Sequence, residues 1–258
     1  PLYSSAASDV YKRQGLYTGL KAFADAVSSL RETVVQVLPS LIEIGKIFGE
    51  FALWAEAVDK MANAQIVFTD DFTLELAHKF CEEPDIVQAV DRYYYEGGHI
   101  SPLIETLKQH DGMKMYQRFY EEIIAAFQQE HYQLACTGLF SLADGILADA
   151  SDMQGCVNYE KRIKKIEERI SNNEELTGLD RKFWCVYTGL NAVTGTMFNG
   201  KPFTEKEEDL LNRNWLQHGR THRTYTRMDF LKALLLVDGI LFFAEQGNAK
   251  SQIEEDKA

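Results

Sequence analysis

The sequence predicts an all-α protein. Apolar residues recur at three- and four-residue steps along nearly every segment, the period of a helix with one buried face. Residues that interrupt helices are scarce, with 5 prolines and 17 glycines in 258 residues. The hydrophobic share, 45%, is that of a globular core, so the helices are expected to pack into a bundle.

Taken in order, Ser4 to Gln14 read as the in-frame translation of a sequencing-library transposon adaptor. Residues 1–14 are therefore set aside as non-native, and the native start is not expected at Pro1. Leu16 to Leu38 carry Leu20, Phe23, Val27, Leu30 and Val34 at helical steps, and Pro39-Ser40 end that helix. A second helix is expected to about Ala64. Short helices follow from Asp70-Asp71 through Phe80 and from Glu83-Pro84 through about Tyr95, before a break at Gly97-Gly98. Ser101-Pro102 open another, because proline in a first turn removes a donor that has no helical partner anyway. Asp111-Gly112 close it.

Beyond Gly112 the periodicity predicts helices over Met113–Gln128, His131–Asp149, Asn158–Ser171 and Asp180–Phe198. Thr204 and Glu207 have the spacing of a capping box, in which hydroxyl and carboxylate satisfy each other's backbone donors. A helix is expected from there to His218, stopped by Gly219. Arg220 to Tyr225 form a basic loop. Thr226 and Asp229 fit a second cap, opening a last helix to about Glu245. The expected organisation is an N-terminal helical region over 15–112, an antiparallel bundle over 113–247, and a disordered polar tail over 248–258. Gly19, Gly145, Gly189 and Gly239, each on an apolar helix, are read as packing positions that let a neighbour approach.

A net charge of −12 opposes nucleic-acid binding except at a local basic patch. Cys81, Cys136, Cys156 and Cys185 are widely spaced, which fits reduced thiols in a cytoplasmic protein better than a zinc site or a disulfide framework. No uninterrupted apolar run reaches a membrane span; Leu41 to Ala57 come nearest and are broken by Glu43, Lys46, Glu50 and Glu56. His218 and His222 lack a third ligand, and no Walker, dinucleotide or nucleophile-elbow motif is present. No metal or cofactor is expected. Lys161, Arg162, Lys164, Lys165 and Arg169 alternate with glutamates and read as a solvated helix face. Tyr93-Tyr94-Tyr95 read as packing.

The remaining constellation is Arg213-Asn214-Trp215-Leu216-Gln217-His218. Arginine holds phosphate oxygens with a planar, permanently charged fork, and histidine exchanges protons near neutral pH. On a helix the two lie about 140 degrees apart, so His218 is expected to swing toward Arg213 from a frayed end. Arg220, His222, Arg223 and Arg227, with Tyr225 among them, follow directly. Between Arg213 and Lys232 five basic residues face one acidic residue. This loop is the expected RNA contact, with Tyr225 stacking on a base. The plainer alternative is a histidine capping a helix end, an Arg213 paired with Asp209 or Glu208, and a solvated loop.

Arg213, the polar Asn214, and His218 after four intervening residues resemble the R-x(4–6)-H motif of the HEPN superfamily. The stretch Asn212 to Gly219 resembles the N-R-x-x-x-x-H-G phrase of bacterial HEPN-like proteins. In those proteins, too, an apolar helix comes next, as Phe230 to Phe243 do here. Leu139 to Leu147 look like the preceding core helix. The resemblance covers roughly residues 113–247 and leaves 15–112 unexplained. It implies a HEPN-like bundle and a metal-independent endoribonuclease, in which the RNA 2′-hydroxyl attacks the adjacent phosphate and leaves a 2′,3′-cyclic phosphate. Arg213, Asn214 and His218 would be catalytic. It further implies a homodimer with facing motifs, and a role in a toxin or anti-phage defence system with an antitoxin or defence partner. A non-catalytic binding or sensor module of the same fold is the alternative.

Overall fold

Phe230, Leu231, Ala233 to Val237, Ile240, Leu241 and Phe243 are all buried, covering every face of one helix. A helix apolar all round belongs at the centre of a bundle, and that is where it lies. The computed structural model describes residues 49–50, 52–155, 158–171, 181–200, 203–204 and 206–255. Its contacts divide the chain into Pro1–Ala52 and Leu53–Ala258. The helix expected over Leu16–Leu38, the adaptor-like segment and the start of the second helix lie outside the described residues.

Within Leu53–Ala258 the described residues form helices and no strand, as the periodicity requires. The elements are α1 (residues 53–63), α2 (Leu74–Glu82), α3 (Ile86–Asp91), α4 (Ile100–Gln109), α5 (Gln117–Gln128), α6 (Tyr132–Ser151), α7 (Tyr159–Ser171), α8 (Arg181–Met197), α9 (Arg213–Gln217) and α10 (Arg227–Glu255). The pair α6 and α10 is the spine; α5 and α7 flank α6, and α7 and α8 flank α10. Phe127 stacks on Phe230 at 3.9 Å between ring centres, and Phe183, Tyr187 and Phe243 form a second ring cluster. Helix α6 is long and apolar enough to cross a membrane. Eleven of its residues are buried by the rest of the chain, which makes it a core helix.

Local chemistry sets the element ends. The Thr73 hydroxyl accepts from Leu76 N, and the Asp85 carboxylate accepts from Val87 N and Gln88 N. α3 continues into a wider turn over Arg92–Glu96, where Gly97 N donates to Arg92 O across five residues. That turn buries Tyr94, stacks Tyr93 on His99 and directs the Tyr95 hydroxyl to Arg227 O, so the tyrosine run packs as expected. The second cap holds as well: Thr226 N donates to Asp229 Oδ2 at 2.9 Å, and Asp229 N to Thr226 Oγ1 at 3.4 Å.

Several expectations are corrected. Met113 to Tyr116 belong to a tighter 3₁₀ turn preceding α5. No boundary falls at Gly112: Phe68, Phe72, Val90, Tyr94 and Leu103 share one core with the later helices. The backbone of α10 stays helical to Glu255, well past the tail predicted from residue 248. Helix α7 is not merely a solvated face. Ile163, Ile166 and Ile170 are buried, and Arg162, 6% exposed, donates to the carbonyls of Met153, Asp144 and Gly155. Arg169 donates to Ala150 O and Ser151 O. These are carbonyls of the last turn of α6, which lack helical donors.

Candidate functional site

Of the helix expected over residues 204–218, only the last turn forms among the described residues. Residues 206–212 are irregular, and α9 occupies only Arg213–Gln217. Glu205 lies outside the described residues. Glu207 does not close a capping box; its carboxylate accepts from Thr221 Oγ1 and His222 N, each at 2.5 Å. Leu211 is fixed by Gln65, whose side-chain amide donates to Leu211 O at 2.9 Å and accepts from Leu211 N at 2.7 Å. A backbone amide so engaged is unavailable to a helix. Helical propensity over this stretch is therefore outweighed by two tertiary anchors.

Asn212 begins α9. Its Oδ1 accepts from Asn214 N and Trp215 N, and its Nδ2 donates to Asn199 O at 3.0 Å. The helix end carries a complete pair of closing bonds, Gly219 N to Leu216 O and Arg220 N to Trp215 O. They require the left-handed backbone of Gly219, φ 64°. Trp215 and Leu216 are buried. These five residues thus form a clip fastened at both ends, with Arg213 at its start and His218 just past its finish.

Arg213 pairs with Asp144 of α6 and lies 5.5 Å over the Phe198 ring, while its buried Nε has no hydrogen bond among the described residues. Asp144 was not singled out from sequence as a site residue. The available signal was a lone carboxylate amid Leu142, Ala143 and Ile146, which demands a partner when partly buried. Arg213, 29% exposed, and Asp144, 26% exposed, line an open cleft of about 670 Å³ with Asn158, Tyr159, Glu160, Asn199 and Asn214. His218 is exposed, its ring edge-on to Phe203 at 5.5 Å, and is not among the described residues lining that cleft. The expected swing of its imidazole toward Arg213 is not seen: the closing bonds hold the helix end instead of letting it fray.

The basic loop is also different from its sequence reading. Tyr225 is only 6% exposed, so its ring cannot stack on a base. Arg223 lies 4.4 Å over that ring and is paired with Asp229 at 2.7 Å. Burial lowers the proton affinity of its guanidinium, and the hydrogen bond and charge of Asp229 together with the neighbouring Tyr225 outweigh it, leaving a net rise. Arg227 makes two bonds to Asp91, at 3.0 and 2.5 Å. Only Arg220, 4.9 Å over Phe203, and His222 remain exposed without an ion pair among the described residues. A nearby carboxylate, Asp229, and a distant one, Asp91, thus take up much of the positive charge assigned to RNA.

A second hollow of about 480 Å³ lies between α6 and α10. Its polar groups are already partnered: His110 Nε2 with Glu245 at 2.9 Å, Tyr116 with Asp149, and Asp111 with Lys114 at 2.9 Å. Among the described residues no group of three potential metal ligands converges. Compared with protein-family models, curated proteins and solved structures, the chain matches none significantly.

Proposed function

We propose that Leu53–Ala258 is a metal-independent endoribonuclease of the HEPN type, acting in the cytoplasm on single-stranded or loop RNA. One observation carries the reading. Arg213 and Asn214 open onto a polar surface cleft while His218 stands exposed at the other end of the same five-residue helix. In this reading Asp144 orients the Arg213 guanidinium, which steadies charge on the pentacoordinate phosphorus. His218 moves the 2′-hydroxyl proton or the leaving-group proton. Because His218 does not line the Arg213 cleft of its own chain, the working site is formed between two copies, with His218 of one facing Arg213 of the other. The RNA target would be cut in a toxin or anti-phage response.

The test is cleavage of single-stranded RNA in excess EDTA. His218→Ala and Arg213→Ala are each expected to lower the rate about 100-fold or more, with helical content unchanged. Mixing the two inactive variants should restore part of the activity by forming one intact site per mixed dimer. Unchanged cleavage by both variants would remove the mechanism.

The second reading, a non-catalytic helical binding module, is favoured by the pairing of Arg213 with Asp144, Arg223 with Asp229 and Arg227 with Asp91. It predicts no His218-dependent cleavage by the wild-type chain.

A further inference from the structure

The cleft beside Arg213 carries hydrogen-bonding capacity that the fold does not use. Neither the Asn199 nor the Asn214 side-chain amide bonds to another described residue; the fold engages these residues through backbone groups. Asn158 uses only its Oδ1, which accepts from Glu160 N at 2.9 Å, leaving its NH₂ unengaged among the described residues. Among the described residues the exposed Glu160 carboxylate has only a long contact, 3.5 Å, from the Tyr159 hydroxyl. The half-buried Tyr159 ring leans on Phe198 at 4.6 Å, so one aromatic surface is fixed by packing.

Primary amides and a carboxylate around an aromatic ring complement a flat, neutral ligand with donors and acceptors on its edge. Phosphate alone fits poorly: Asp144 and Glu160 offset the charges of Arg213 and Arg162, and the Arg162 guanidinium is already spent on three backbone carbonyls. Unpaired bases are read in this way, by stacking and by bonds to the Watson–Crick edge. The carboxylate narrows the choice. Guanine presents two adjacent donors, N1–H and N2–H, which match two carboxylate oxygens, and its O6 accepts from an amide. Adenine has no such donor pair.

We infer that this cleft is a base-binding subsite selective for an unpaired guanine, held against Tyr159 with Glu160 and the amides of Asn158, Asn199 and Asn214 on its edge. The assignment rests on the ribonuclease reading for its biological sense, and its binding test is independent of cleavage.

Gly195 supplies a clean test. It is exposed on α8 at the cleft wall, and a Cβ built there meets nothing within 4 Å. Gly195→Leu therefore adds bulk at the cleft wall without disturbing the core, and leucine is the better helix former. Binding of guanosine 3′-monophosphate and adenosine 3′-monophosphate to the full chain is measured by calorimetry. The guanine nucleotide is expected to bind at least about tenfold more tightly. Glu160→Gln should erase that preference, and Gly195→Leu should abolish binding with the circular dichroism spectrum unchanged. Absence of binding, equal binding of the two nucleotides, or binding indifferent to Gly195→Leu overturns the inference. Guanine binding without His218-dependent cleavage removes the ribonuclease reading and leaves the subsite. His218-dependent cleavage indifferent to guanine removes the subsite and leaves the enzyme.

Discussion

Gln65 has a left-handed backbone, φ 57°, and is 1% exposed, two features that individually disfavour glutamine. What holds it is the reciprocal pair of bonds to the Leu211 peptide, reinforced by a 3.3 Å bond from Nε2 to Thr196 Oγ1. Its amide acts as a surrogate backbone partner for a segment that belongs to neither helix nor sheet. Replacing it with leucine keeps the bulk and strips both partners from Leu211. A buried N–H and C=O left unpaired are each costly, so Gln65→Leu should destabilise by about 2–4 kcal/mol in urea denaturation. A loss below about 0.5 kcal/mol would mean that Leu211 finds other partners. Because Leu211 directly precedes Asn212 and Arg213, the same residue positions the candidate site from 146 positions away.

At the scale of elements, the small residues on apolar helices are contact points, as the sequence suggested. A Cβ on Gly239 of α10 would lie 2.7 Å from Val67, one on Gly145 of α6 would lie 3.0 Å from Tyr116, and Gly189 of α8 sits against the Phe68 backbone. Gly195, on the outer side of α8, meets nothing. Alanine at these glycines therefore separates propensity from packing. Gly195→Ala should stabilise by about 0.5–1 kcal/mol through helix propensity alone. Gly239→Ala should lose about 1–2 kcal/mol, because overpacking between α10 and the loop carrying Val67 exceeds that gain. Thermal melts of the two variants should move in opposite directions. Equal shifts would show that the α10 contact is loose.

For the whole molecule, an excess of negative charge coincides with one carboxyl held against its preference. Asp238 of α10 is pushed up from 3.8 to about 7, first by burial and then by the nearby Asp71 and Asp70. The folded chain keeps this proton where the unfolded chain releases it. Stability from this group is therefore full below about pH 4, falls as pH rises, and levels off above about pH 7. Asp238→Asn cannot ionise and escapes the loss. It should gain about 2 kcal/mol over the native chain at about pH 8 and nothing at about pH 4, allowing for partial solvent contact. A constant difference between the two pH values would show that the carboxyl is ordinary in the fold. The single core spanning Phe68 to Phe243 transmits such a local cost to the stability of the entire unit.

The sequence by itself determined that the chain is helical, where most helices begin and end, and that Arg213, Asn214 and His218 fall on one short surface segment. Those properties reside in relations between residues a few positions apart: the period of apolar side chains, the Thr226–Asp229 cap, the left-handed stop at Gly219. Only the tertiary structure decided that residues 206–212 are not helical, that Arg213 meets Asp144 across 69 positions, and that Arg227 meets Asp91 across 136. It also merged the segments before and after Gly112 into one core. A local pattern fixes which face of a helix is apolar. It does not specify which distant carboxylate that helix will bring beside a given arginine, because that choice is made by how the buried faces pack.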